Sequence, residues 1–217
     1  MNFIAQSFTF KLAGLVGVIA GVIGVTIPSL VYRGTEGEKY SFLNHYISEL
    51  GETGVSRLSW MFNLGMILAG LSIMLASLSL GIILPGFWAK AGLLLGVIAG
   101  FALCMVGVFP MNKIKPHSVS AIAFFRAGLL MVLFFSLAMV LQGGENPAVP
   151  RWLGLVGVIP LLAFGIFLGL NWSVRSEDRD TLDTTGFVRP QVWKFAVSEW
   201  SILFAMILWI LVLALAL

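Results

Sequence analysis

Glu49 follows His45 by four positions. In a helix that spacing puts both side chains on one face, where an imidazole and a carboxylate could hold a divalent metal. With His117 or Glu199 completing the set, such a site would ready a water for attack at neutral pH. Ser48 lies between the first two, and His117 could instead serve it as general base, the arrangement of an intramembrane lipid hydrolase or acyltransferase. The candidate catalytic residues are thus His45, Ser48, Glu49 and His117. Support for catalysis is thin: the chain has two histidines and one cysteine, and neither H-E-x-x-H nor G-x-S-x-G occurs. No cofactor is expected, and the metal set His45, Glu49 and His117 is the alternative.

The elements that must position these groups are dictated by composition. The 217 residues are 59% hydrophobic and 11% charged, against about 25% charged in soluble domains. Apolar runs have the length a bilayer demands, roughly 20 residues at 1.5 Å rise. Six spans follow, at about 9–31, 58–80, 87–109, 118–141, 152–173 and 192–217. The expected fold is an all-α bundle of six transmembrane helices, a single domain over residues 1–217. Leu84-Pro85-Gly86, Phe109-Pro110 and the stretch Gly143 to Pro150 punctuate it, and Arg175 to Pro190 forms a charged connector. The first apolar run is too long for a signal-peptide core and reads as a retained span. Cys104 lies inside a span, so it is read as a small apolar filler. A net charge of +3 without a basic run gives no case for nucleic acid.

Both termini then share one side, A, with connectors near 81–88 and 142–151. Side B carries connectors 32–57, 110–117 and 174–191. Lys11, Lys90 and Arg151 lie near side A. Side B has Arg33, Lys39, Arg57, Lys113, Lys115, Arg175, Arg179, Arg189 and Lys194, which by the positive-inside rule makes it cytoplasmic.

Residues Asn44–Gly51 stand at side B. As a short helix they put Leu43, Tyr46, Ile47 and Leu50 on an apolar face and Asn44, His45, Ser48 and Glu49 opposite, with Gly51 as C-terminal cap. Such an amphipathic helix would lie on the membrane and either face water or cover a pocket. Within the spans, Arg126 and Glu199 are the two deep ionisable groups, and each calls for a partner in hydrocarbon. Their similar depth suggests an ion pair. Asn63, Asn171, Ser198, Ser201 and His117 gather in the same half, so a polar cavity open to side B is the economical arrangement. His117 and Arg126, nine residues apart, fall on opposite faces of an unbroken helix.

Gly14, Gly17, Gly21 and Gly24 draw one smooth stripe, and Gly92, Gly96 and Gly100 another. Small residues at this spacing let backbones approach in lipid. They suit packing within the chain, or a homo-oligomer or membrane protein partner. The similar openings 13–21, 91–100 and 153–160 fit either a triplicated hairpin or, more simply, shared glycine-rich composition.

Tyr46-Ile47-Ser48-Glu49-Leu50-Gly51-Glu52-Thr53 resembles the Y-I-S-D-T-G-T element of the FRAG/DRAM/SFK family of six-span membrane proteins and its prokaryotic relatives of unknown function. Asn63, His117 and Ser198-Glu199-Trp200 continue the likeness in order along the chain. Glu49-Leu50 departs from the family's Asp-Thr, and Arg126 matches no position in it. The resemblance implies a six-helix fold tied to lipid handling, with the first loop facing an exterior or lumen, opposite to the charge count.

Three functions follow. The first is binding or organising a membrane lipid, with a phospholipid head group at Asn63, His117, Arg126, Ser198 and Glu199 and phosphate meeting Arg126 or His117. The second is the hydrolase or acyltransferase, and the third a non-catalytic packing subunit of a membrane complex.

Overall fold

A computed structural model describes residues 3–145, 147–173 and 189–217. All regular structure among them is helical: α1 (Phe3–Val31), α2 (Ser59–Ile83), α3 (Gly86–Val108), α4 (Ile114–Val140), α5 (Leu153–Val156), α6 (Val158–Ser173) and α7 (Lys194–Ala216). Six segments are long and apolar enough to cross a membrane, the fifth made of α5 and α6 together. By length and composition the chain is therefore a multi-pass membrane protein. Most of the connector expected at 174–191 lies outside the described residues.

The fifth span, expected as one helix, breaks at Gly157. There a Cβ on Gly154 would stand 2.6 Å from the Ser136 carbonyl of α4, and one on Gly157 would run into the Ser136 side chain. Close approach to α4 shapes the break.

The spans form a ring in chain order, with α7 returning to meet α1. Seams α1/α2 and α2/α3 are the closest. A Cβ on Gly24 would lie 3.1 Å from the Gly65 Cα, and one on Gly70 would lie 2.5 Å from the Gly100 carbonyl. Only glycine lets these backbones meet, and van der Waals contact along the seams replaces the hydrophobic drive that lipid abolishes. Both glycine stripes are used inside the chain: Gly14 faces Ile210 and Gly17 faces Ser72, while Gly92 faces Phe135 and Gly96 faces Ser77. Gly21 differs, being buried with nothing within 4 Å of where a Cβ would stand.

The first loop on side B is ordered but is not the helix expected. Residues 41–45 form turns, and Ile47–Gly51 is a five-residue 3-10 turn, here the lid turn. Its length explains the difference, since a helix so short gains too few hydrogen bonds to persist without tertiary contacts. Ile47 and Leu50 supply those contacts by packing with Val25, Tyr32, Phe62, Met66 and Val106. Full burial of two such side chains contributes about 1.5–3 kcal/mol each. Gly51 belongs to the turn, with Glu52 as the cap, and a Cβ on it would meet Asn63 and Phe62 of α2.

Candidate functional site

Glu49 is the hub of the lid. One carboxylate oxygen accepts the Tyr46 backbone N–H at 2.8 Å, closing the turn on itself. Both oxygens also accept from Arg189, at 2.9 and 3.0 Å, a fork-to-fork pair that favours arginine over lysine. The same guanidinium donates to the Asn44 carbonyl at 2.7 Å. Burial works against the Arg189 charge, and the hydrogen bond and charge of Glu49 outweigh it, so its pKa is raised. Two residues after Pro190's neighbour Gln191, Trp193 donates its N–H to the Leu43 carbonyl at 2.7 Å. Its ring stands 4.6 Å from that of Tyr46.

Further tethers fix the other edges. Glu199 in the second turn of α7 accepts the Ile47 N–H at 2.7 Å. Asn63 of α2 donates to the Gly51 carbonyl at 3.1 Å. Asn112, between α3 and α4, exchanges two hydrogen bonds with the backbone of Thr53, at 2.7 and 2.8 Å. Elements distant in the chain thus converge on one short turn.

His45 sits behind this turn, 2% exposed and edge-on to Tyr32, with Tyr40 at 5.0 Å. Its Nδ1 is 2.7 Å from the Asn44 side-chain oxygen, while Nε2 is buried without a partner. Burial holds its pKa below the ordinary histidine range, opposed by the Glu49 charge. The Tyr40 hydroxyl donates to the Tyr46 carbonyl at 2.8 Å, and burial lifts the phenol above its usual pKa.

Beneath the lid runs a cavity of about 150 Å³. Its wall along α2 extends from Phe62 to Leu80, which at 1.5 Å per residue is about 27 Å. The lid end presents Ser48, His117 and Glu199, and the deeper wall is apolar apart from Ser72 and Ser77. Ser77 spends its hydroxyl on the Met131 sulfur. His117 Nδ1 lies 2.8 Å from the Phe109 carbonyl. A carbonyl only accepts, so Nδ1 carries the proton and Nε2 remains an acceptor. Glu199 is accessible only in part, and it lines the cavity.

Several candidates from the sequence fall elsewhere. Arg126 is exposed on the outer face of α4 and makes no ion pair with Glu199. Matched depth ignored direction: His117 faces inward, and nine residues later the helix has turned half a revolution away. Ser198 is buried but returns its hydroxyl to the Phe195 carbonyl of its own helix at 2.9 Å. Asn63 holds the lid and does not line the cavity. The metal set is not assembled, since Glu49 is taken up by Arg189 and His117 by Phe109. No group of three or more His, Cys, Asp or Glu residues suited to a metal occurs among the described residues. Ser48 directs its hydroxyl to the Met111 sulfur at 3.7 Å rather than to an imidazole. His117 and Glu199 alone of the proposed ligand residues meet Ser48 at the cavity.

Arg189 is the residue that sequence reading missed. Its signal was the buried acid Glu49, which needs a cation, and an Arg-Pro step just ahead of the last span.

A family model described as a protein of unknown function, DUF998, matches residues 15–216. No curated protein and no solved structure matches the chain. Nothing in these comparisons ties it to the FRAG/DRAM/SFK proteins that its motifs resemble.

Proposed function

We propose that this chain, which belongs to the DUF998 family, binds a membrane lipid by one hydrocarbon chain. The chain lies in the interior cavity with its polar end beneath the lid turn. The shape of the cavity carries this reading. About 150 Å³ drawn out along so long a wall is narrow, which suits one hydrocarbon chain and not two. An apolar cavity offers water few partners and favours an apolar occupant. Its length exceeds the roughly 15 Å that one leaflet's hydrocarbon occupies, so a full acyl chain fits with its head at the lid. Lipid would enter from the bilayer itself, where α1 and α7 border the cavity with Gly14, Gly21, Leu203 and Ile207.

Gly21 provides the test, because it lines the cavity and a Cβ there would meet no atom within 4 Å, so a larger side chain can extend into the cavity. Gly21→Phe should reduce co-purifying single-chain lipid by about tenfold, read by mass spectrometry of the detergent-extracted protein, with thermal unfolding little changed. That factor corresponds to about 1.4 kcal/mol of lost binding. Equal lipid in both proteins would sink the proposal.

A further inference from the structure

We infer that the lipid's head group is a hydrogen-bond donor without negative charge, a hydroxyl or an amine, and that phosphate and carboxylate heads are excluded. This rests on the lipid-binding reading and goes beyond it by naming the class of head.

The lid end of the cavity displays acceptors. Glu199 brings a carboxyl group whose Oε2 already takes the Ile47 N–H at 2.7 Å. His117 lines the cavity and keeps Nε2 as an acceptor because its Nδ1 proton is committed to the Phe109 carbonyl. Ser48 adds a hydroxyl oxygen that can accept while its proton is directed at the Met111 sulfur. Among the described residues, no lysine or arginine lines the cavity. Arg189 and Arg126 are spent or misdirected: Arg189 is forked onto Glu49, and Arg126 points out of the bundle. An anionic head would therefore meet a carboxyl group with no cation to offset it, in surroundings where screening by water is weak. A hydroxyl or ammonium would instead find acceptors waiting. The narrow apolar wall limits such a lipid to one chain, which describes a monoacylglycerol, a fatty alcohol or a long-chain base.

A competition experiment on the full chain in detergent tests this. A monoacylglycerol carrying a diazirine along its chain is photocrosslinked to wild type, with Gly21→Phe as the background to be subtracted. Unlabelled 1-oleoylglycerol, sphingosine, oleate and oleoyl-lysophosphatidate then compete. The first two should displace the probe at concentrations at least about tenfold lower than the two anions, the scale of one hydrogen bond to a charged group. Glu199→Gln keeps the shape and an acceptor but removes the acid. It should weaken sphingosine by about tenfold and 1-oleoylglycerol by less than about threefold. Anions competing as well as the neutral and basic lipids would overturn the assignment of the head while leaving chain binding intact. Crosslinking that Gly21→Phe fails to reduce would instead overturn the lipid-binding reading and the inference with it.

Discussion

The two ends of the bundle are closed by different kinds of bond. At side A the closures are local. Lys90 donates to the Gly81 carbonyl at 2.7 Å across the turn between α2 and α3. Gln142 bonds Met139 and Val149, and Arg151 bonds the Gln142 and Gly144 carbonyls, no partner more than nine residues away. At side B the lid is joined to Glu199 across 152 residues and to Arg189 across 140. A local closure forms with its hairpin and satisfies helix-end carbonyls that would otherwise be orphaned. A remote closure exists only when the whole ring is in place, and it can release without unwinding any span. The polar end of the cavity thus shares side B with the remote closures, while side A holds local closures.

The largest expected effect breaks the remote closure. Arg189→Ala strands a Glu49 carboxylate whose side chain is 7% exposed, at a cost of about 3 kcal/mol. Glu49→Ala should cost less, about 2 kcal/mol, because Arg189 is 31% exposed and can rehydrate. The double variant should be milder than Arg189→Ala alone. Thermal unfolding of all three proteins checks the order, and a double variant worse than Arg189→Ala would show that the pair is not the latch.

At the other end, Gln142→Ala should cost about 1–2 kcal/mol by leaving its carbonyl and amide partners unsatisfied. Amide exchange should quicken in residues 139–151 only, with lipid binding unchanged. Faster exchange in the lid as well would mean that the two ends are coupled.

The smallest effect is a pH response. His45 has its folded pKa held below 6.5 by burial, so the closed lid disfavours the imidazolium. Its contribution is complete above about pH 6.5 and is lost as pH falls through the lowered folded value. Glu52, raised above 4.5 by burial, acts in the opposite sense, since its protonation favours the closed form. Amide exchange of residues 41–51, corrected for its intrinsic pH dependence, should show lid opening that increases from pH 7.5 to 5.5 by at most about tenfold per unit. His45→Phe keeps a ring against Tyr32 and Tyr40 and should flatten the profile. An unaltered profile would place the titrating group elsewhere.

The spans were legible because bilayer thickness is written directly into runs of apolar residues. Their boundaries from proline and glycine fall close to those observed, apart from the starts of α1 at Phe3 and α4 at Ile114, which lie earlier than expected, and the break at Gly157, which depends on the distance to Ser136 of another helix. That a lid covers side B could be read from the polar residues interrupting the apolar runs. Its shape could not be, since a five-residue turn is defined by tertiary anchors and not by its own periodicity. Depth along a helix also follows from counting residues, whereas direction needs neighbours. Arg126 and Glu199 therefore looked like a pair although one faces out and the other in. His117 was placed correctly relative to Arg126 by the 100° step alone, which set the two on opposite faces.

The return of α7 to α1 carries a consequence for biogenesis. A chain emerging from the ribosome amino end first completes residues 41–56 long before residue 199 exists. During that interval the loop has neither its guanidinium nor its carboxylate, and the interior stays open to surrounding acyl chains. The last span to be threaded therefore acts as the keystone. Its insertion completes the wall of the compartment, and on the lipid-binding reading whatever lipid has entered by then would be the first cargo held.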